Sequence, residues 1–172
     1  IWFMKVKIIN YKKEYQIINH SEVILETRKP KWYSSEINFH YNDKQYEIKK
    51  SDFWSISRTI FELERPIGKI DFSSMKGGVI WLENKKNTYN EYTLKKEKVG
   101  KWYTSGRRYV LNKKDLSAVL TIHYDVKGKL ITSEDISVSF NDVHTTDFVL
   151  LVCSLFVMRQ QLSDENSISP PG

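Results

Sequence analysis

Asp147-Phe148-Val149-Leu150-Leu151-Val152-Cys153-Ser154-Leu155-Phe156-Val157-Met158-Arg159-Gln160-Gln161 is the stretch on which the reading of this chain turns. From Phe148 to Met158 every residue except Ser154 is apolar, so no polar stripe runs along the segment. A helix that is apolar all round is buried on every side, in a protein core or in lipid. At 1.5 Å per residue this one is about 16 Å long, against the ~30 Å of a bilayer core. Burial inside protein is therefore the expectation. Thr145, Thr146 and Asp147 offer N-cap chemistry, and Arg159 suits the C-terminal half. These signals place the helix at about 146–162. The polar residues 163–172, ending in Pro170-Pro171-Gly172, read as a disordered tail.

Upstream, the pattern is that of short strands. Ile37, Phe39 and Tyr41 alternate with Glu36, Asn38 and His40; Asn42-Asp43 then turns the chain into Tyr46 and Ile48, which predicts a hairpin. Trp54, Ile56, Arg58 and Ile60 share one parity, while Phe61 and Leu63 take the other. A β-bulge near Thr59-Ile60 explains that switch, with a helix from Ser51 as the competing reading. Pro66 and Gly68 are expected to turn the chain into Ile70 and Phe72. Val79 to Leu82 is an uninterrupted apolar run, fit for a strand covered on both faces. Ala118, Leu120, Ile122 and Tyr124 form the best alternation of the second half, followed by Ile136, Val138 and Phe140. Eleven or twelve strands with one helix behind them is the spacing of a sandwich or barrel. The all-apolar helix makes a barrel with a central plug the favoured architecture, as a single domain over 1–162.

Composition agrees. The chain has 172 residues, 13% of them aromatic, with seven Gly and four Pro, which excludes a low-complexity or disordered class. One cysteine, Cys153, excludes an internal disulfide framework; in an apolar helix it acts as a small hydrophobe. Ile1-Trp2-Phe3-Met4 is too short for a signal peptide, and the absence of an initiator Met leaves residues upstream of Ile1 open. A cytoplasmic domain is the resulting expectation. The formal charge of +6 suits an ordinary soluble surface and also an anionic partner.

The order of parts resembles the tubby-like superfamily, and within it the LURP-one-related and phospholipid-scramblase-like proteins. The likeness rests on the terminal apolar helix at 148–158, on Lys31-Trp32-Tyr33 and Lys101-Trp102-Tyr103, and on Tyr46-Glu47-Ile48 leading to Trp54-Ser55-Ile56 and Ile67-Gly68-Lys69-Ile70. It implies a closed twelve-stranded barrel threaded by a hydrophobic C-terminal helix, and it raises a role at the membrane surface. The Pro-rich N-terminal segment and the cysteine cluster of scramblase-like proteins are missing, and no Lys/Arg pair matches the tubby phosphoinositide site. Lys31-Trp32-Tyr33-Ser34-Ser35 is echoed by Lys101-Trp102-Tyr103-Thr104-Ser105, as two related halves would produce.

No catalytic motif stands out. His20, His40, His123 and His144 lack metal-ligand spacing, and neither a nucleophile elbow, a P-loop nor a dinucleotide fingerprint occurs. No cofactor is expected. The densest basic region holds Lys95, Lys96, Lys98, Lys101, Arg107 and Arg108, with Trp102 among them, and continues to Lys113 and Lys114. Gathered at one end of a barrel, these residues would hold anionic head groups with aromatics at the interface; alternation along strands would instead spread them over a solvated face. Nucleic acid is disfavoured, since no recognised module accompanies the charge. The expected function is thus a non-enzymatic binding or scaffolding domain facing an anionic membrane surface or a protein partner. The competing expectation is a small-molecule binder or hydrolase with a pocket at one barrel end.

Overall fold

The computed structural model describes residues 2–52, 56–72, 77–84, 87–97, 106–114, 118–128, 133–141 and 147–168, with side chains undescribed at 2 and 166–168. Twelve strands precede one helix: β1 (Trp2–Ile8), β2 (Tyr15–Asn19), β3 (Glu22–Arg28), β4 (Ile37–Tyr41), β5 (Lys44–Lys49), β6 (Arg58–Glu62), β7 (Arg65–Asp71), β8 (Gly78–Glu83), β9 (Tyr89–Glu97), β10 (Arg107–Lys113), β11 (Ala118–Lys127), β12 (Ser133–Phe140) and α1 (Phe148–Ile168). Each strand pairs with its chain neighbour, and β1 pairs antiparallel with β12, so the sheet closes on itself. Closure leaves no open sheet edge.

Alternation decides what fills the barrel. Ile17, Ile48, Ile60, Ile70, Ile80, Leu94, Leu111, Leu120, Ile122 and Val138 all point inward and are fully buried. They surround the helix, where no residue from Phe148 to Met158 is more than 8% exposed. Ser154, the one polar residue of that run, donates its hydroxyl to the Leu150 carbonyl at 2.8 Å, which removes the penalty of burying it. Asp147 caps the helix: its Oδ1 accepts from the Leu150 amide at 3.1 Å. Cys153 is fully buried, and burial pushes its thiol well above the usual range, as befits an inert hydrophobe.

Several local expectations need correction. The helix runs to Ile168, so 163–168 continue it rather than begin a tail. The turn between β6 and β7 is Leu63-Glu64, both at positive φ, and not Pro66 and Gly68, which lie within β7. Pairing of Glu62 with Arg65 leaves only two residues for the turn, which demands that backbone whatever the side chains. Gly68 serves another purpose: a Cβ there would lie 2.3 Å from the Trp81 carbonyl oxygen. Val79–Leu82 is buried on the inner face alone, because Trp81 faces outward and donates to Glu91 at 3.1 Å. Strand β6 begins at Arg58 rather than near Trp54, which lies outside the described residues. The register shift falls between Ile60 and Phe61, within one residue of the expected bulge. Asn42 and Asp43 form the expected tight turn, both at positive φ.

Gly78 sets how closely the helix approaches the wall. A Cβ on it would sit 2.1 Å from Val157 Cγ1, so a side chain cannot be added without moving the helix. We expect Gly78→Ala to destabilise the domain by about 1–3 kcal/mol, the usual range for overpacking. Adding Val157→Ala removes the clashing methyl and should return part of the loss. Denaturant unfolding of the single and double variants checks this; identical midpoints for wild type and Gly78→Ala would refute the close approach.

Candidate functional site

In an antiparallel barrel the turns after odd strands gather at one end and those after even strands at the other. The helix starts at the second end, where Phe148 meets Tyr41 with ring centroids 5.0 Å apart. Its C-terminal half lies at the first: Phe156 packs on Phe72, Arg159 reaches Tyr15 and Glu165 reaches Lys96. The second end also exposes Leu63 and Tyr89, but the ionic contacts of the helix are made at the first end.

A buried ionic cluster fixes the helix there. Arg159 Nη1 lies 2.7 Å from Glu134 Oε1 and Nη2 3.3 Å from Oε2, a bidentate pair, while its Nε donates to the Tyr15 hydroxyl at 2.7 Å. Tyr124 donates its hydroxyl to the same carboxylate at 2.6 Å, and Lys13 Nζ lies 3.1 Å away. Burial pushes the Glu134 carboxyl up, but the hydrogen bonds from Arg159 and Tyr124 and the positive charges outweigh it and hold it at about 2. Burial opposes the Arg159 charge, yet Tyr15 and Glu134 raise its affinity for the proton, so it stays ionised. Tyr124 is pushed up by burial and by Glu134, so it remains a donor. The cluster holds two cations, Lys13 and Arg159, against one anion. The hydrogen bonds tie β2, β11, β12 and the helix together, and one positive charge is left over.

The basic residues singled out in the sequence divide between two faces. Lys96 and Arg107 share the inward parity of Leu94 and Tyr109, and both bind Glu165 of the helix, at 2.6 and 3.1 Å. Lys95 and Arg108 take the outward parity, and Arg108 pairs with its cross-strand neighbour Glu97 at 3.1 Å. Lys98, Lys101 and Trp102 lie outside the described residues. Of the seven, then, the described four are split, and three of them carry carboxylate partners.

A different set converges. Around the same end stand Tyr11, Trp32, Tyr33 and Ile56, which are 80, 69, 69 and 66% exposed. Trp32 and Tyr33 meet edge to face at 5.7 Å, and Lys31 Nζ lies 5.9 Å from the Tyr33 ring centre. Among the described residues no carboxylate lies within ion-pair distance of Lys12, Lys29, Lys31 or Lys50, which occupy the turns at this end, although Glu14 is near enough to Lys12 and Lys29 to act on both charges. The opposite end is closer to neutral: Lys44 binds Glu62 and Arg65 binds Glu83, at 3.0 and 2.8 Å. The sequence did carry a signal for this group, the first Lys-Trp-Tyr copy, but the denser basic run around the second copy outweighed it. Lys31–Tyr33 falls between β3 and β4.

Beside Arg159 the packing leaves a cavity of about 60 Å³ between the helix and the β2–β4 wall, lined by Tyr15, Lys29, Ser35, Ile37, Val152 and Phe156 among others. A shallower cleft of about 950 Å³ lies beside β1 and β12, with Lys5, Lys7 and Lys127 facing Glu134 and Asp135. Among the described residues no group of three His, Cys, Asp or Glu gathers as metal ligands, and no helix is long and apolar enough to cross a membrane. Comparison with known proteins finds no matching family model, no matching curated sequence and no matching solved structure.

Proposed function

We propose that this domain is a non-enzymatic binding module that seats the end of the barrel holding the helix C-terminal half on an anionic phospholipid surface. The observation that carries this reading is the coincidence, at one end, of lysines without carboxylate partners and aromatic side chains exposed to solvent. Lysines attract the negative surface, each contributing about 1 kcal/mol, while Trp and Tyr settle at head-group depth. Lys12, Lys31 and Lys50 would together supply roughly 3 kcal/mol, enough for reversible, salt-sensitive attachment. Scattered single apolar residues need no explanation; Trp32 and Tyr33 side by side, beside Lys31, do. The closed barrel around a terminal helix is also the architecture that the tubby-like resemblance implies.

Co-sedimentation with vesicles tests the proposal. Recovery should be high on phosphatidylserine-containing vesicles at low salt, small on phosphatidylcholine alone, and reduced as salt rises. Trp32→Ala/Tyr33→Ala and Lys31→Gln/Lys50→Gln should each lower it several-fold without changing the melting temperature. Equal recovery on neutral and anionic vesicles at low salt would sink the proposal.

A further inference from the structure

We propose that the cavity beside Arg159 is a binding site for a small carboxylate carrying a short aliphatic group, separate from any seating of the barrel end on a membrane. Its polar lining is built almost wholly of donors. Arg58 donates from Nε and Nη2 to Ser35 Oγ, at 3.2 and 2.9 Å, which occupies both lone pairs of that hydroxyl and leaves its proton to donate. Arg159 does the same to Tyr15 in part: its Nε donates to the phenol oxygen at 2.7 Å, and no described acceptor takes the phenol proton. Lys29 is half-buried, and its ammonium has no ion pair among the described residues. Burial and the nearby Arg159 charge disfavour its protonated form more than Glu14 favours it, a penalty that an incoming anion would relieve. The acceptor on the lining is the carbonyl of Gln160, whose amide nitrogen turns to Asp164 at 3.1 Å.

Beneath these donors lie Ile37, Val152 and Phe156, all buried and apolar. A ligand that only accepts hydrogen bonds, carries one negative charge and presents a small apolar body matches both halves. Size narrows the class further. An apolar cavity of about 150 Å³ holds benzene, so 60 Å³ takes two or three carbon atoms, and the carboxylate must sit outside that volume among the half-buried Lys29, Arg159 and Gln160 at its rim. Inorganic phosphate would satisfy the donors but leave the apolar floor empty. Arg58 stands behind Ser35, off the lining: it is buried, and its described partners are the neutral oxygens of Ser35, Ile56 and Ser57 and the Phe72 ring at 5.6 Å.

The experiment is an NMR titration of the whole chain with butyrate, compared with acetate and inorganic phosphate. Butyrate should bind saturably, with nuclear Overhauser contacts from its methyl to the Val152 and Ile37 methyls, and more tightly than either comparator. Lys29→Gln should weaken it about tenfold, the loss of one charge-assisted hydrogen bond. Ser35→Ala should weaken it less, and Lys31→Gln, a lysine outside the cavity, should leave it unchanged. Butyrate binding should also survive Trp32→Ala/Tyr33→Ala, which separates this site from the vesicle surface. Absence of saturable shifts, phosphate binding as tightly as butyrate, or full affinity in Lys29→Gln would each overturn the assignment.

Discussion

Replacing Leu151 with Asp is expected to abolish cooperative folding. Leu151 is fully buried at the middle of the apolar helix, with side chains of the barrel wall on all sides and no described cation in position to meet a new carboxylate. Leaving a charge there costs several kcal/mol, and protonating it still strands a polar group. Losing the leucine contacts adds about 2–5 kcal/mol. Together these approach the whole stability of a domain this size, about 5–15 kcal/mol. The variant should collect in the insoluble fraction or show no thermal transition. Leu151→Met, which keeps the volume, should stay within about 1.5 kcal/mol of wild type. A soluble Leu151→Asp with an unchanged melting temperature would mean that the helix is not the core.

Removing Arg159 is the second large perturbation. Arg159→Met leaves the Glu134 carboxylate, only 13% exposed, with Tyr124 and Lys13 but without its bidentate partner. Breaking a fully buried pair from one side costs about 3–5 kcal/mol; here Arg159 is partly exposed and Lys13 still meets the carboxylate, so the loss should fall below that range. Exchanging Glu134 for Gln as well should restore part of that loss, so a double-mutant cycle should report clear coupling, and simple additivity would argue that the two groups act independently. The pH dependence follows from the same contacts. Glu134 is held at about 2 in the folded chain against an ordinary 4.5, so its contribution is complete above pH 4.5 and is lost as pH falls towards 2. Within that window wild type should lose up to about 1.4 kcal/mol per pH unit more than Glu134→Gln. Asp147 works in the opposite sense: burial raises its pKa, so its share of stability declines as pH rises through the window above 3.8. Comparing the two chains at matched pH cancels that term. Parallel acid-unfolding curves for wild type and Glu134→Gln would contradict the assignment of Glu134.

Much of the architecture was legible because it depends on composition and period. Phe148 to Met158 is apolar in every direction, and only an enclosing wall removes such a rod from water. Ala118 to Tyr124 and Ile136 to Phe140 alternate cleanly because one face of a barrel strand meets the core and the other meets solvent. Turns were legible where chemistry and geometry coincide, as at Asn42-Asp43, and missed where pairing alone imposes the geometry, as at Leu63-Glu64. Gly78 gave no local signal of its role, because its lack of a side chain matters for a contact with Val157, some eighty positions away.

The candidate site was less legible for a related reason. A run of lysines in sequence alternates sides once it becomes a strand, and carboxylates far along the chain then neutralise part of it, as Glu165 does for Lys96 and Arg107. Which bases remain unpaired depends on the partners brought in by folding. By itself the sequence determined the fold class and the burial of the terminal helix, since hydrophobic pattern is a property of neighbours along the chain. Only the tertiary structure decided which charges are matched, which aromatic side chains stand exposed and where a cavity remains, because closing the barrel brings Glu134 to Arg159 and Ser35 to Arg58, pairings that no local spacing encodes.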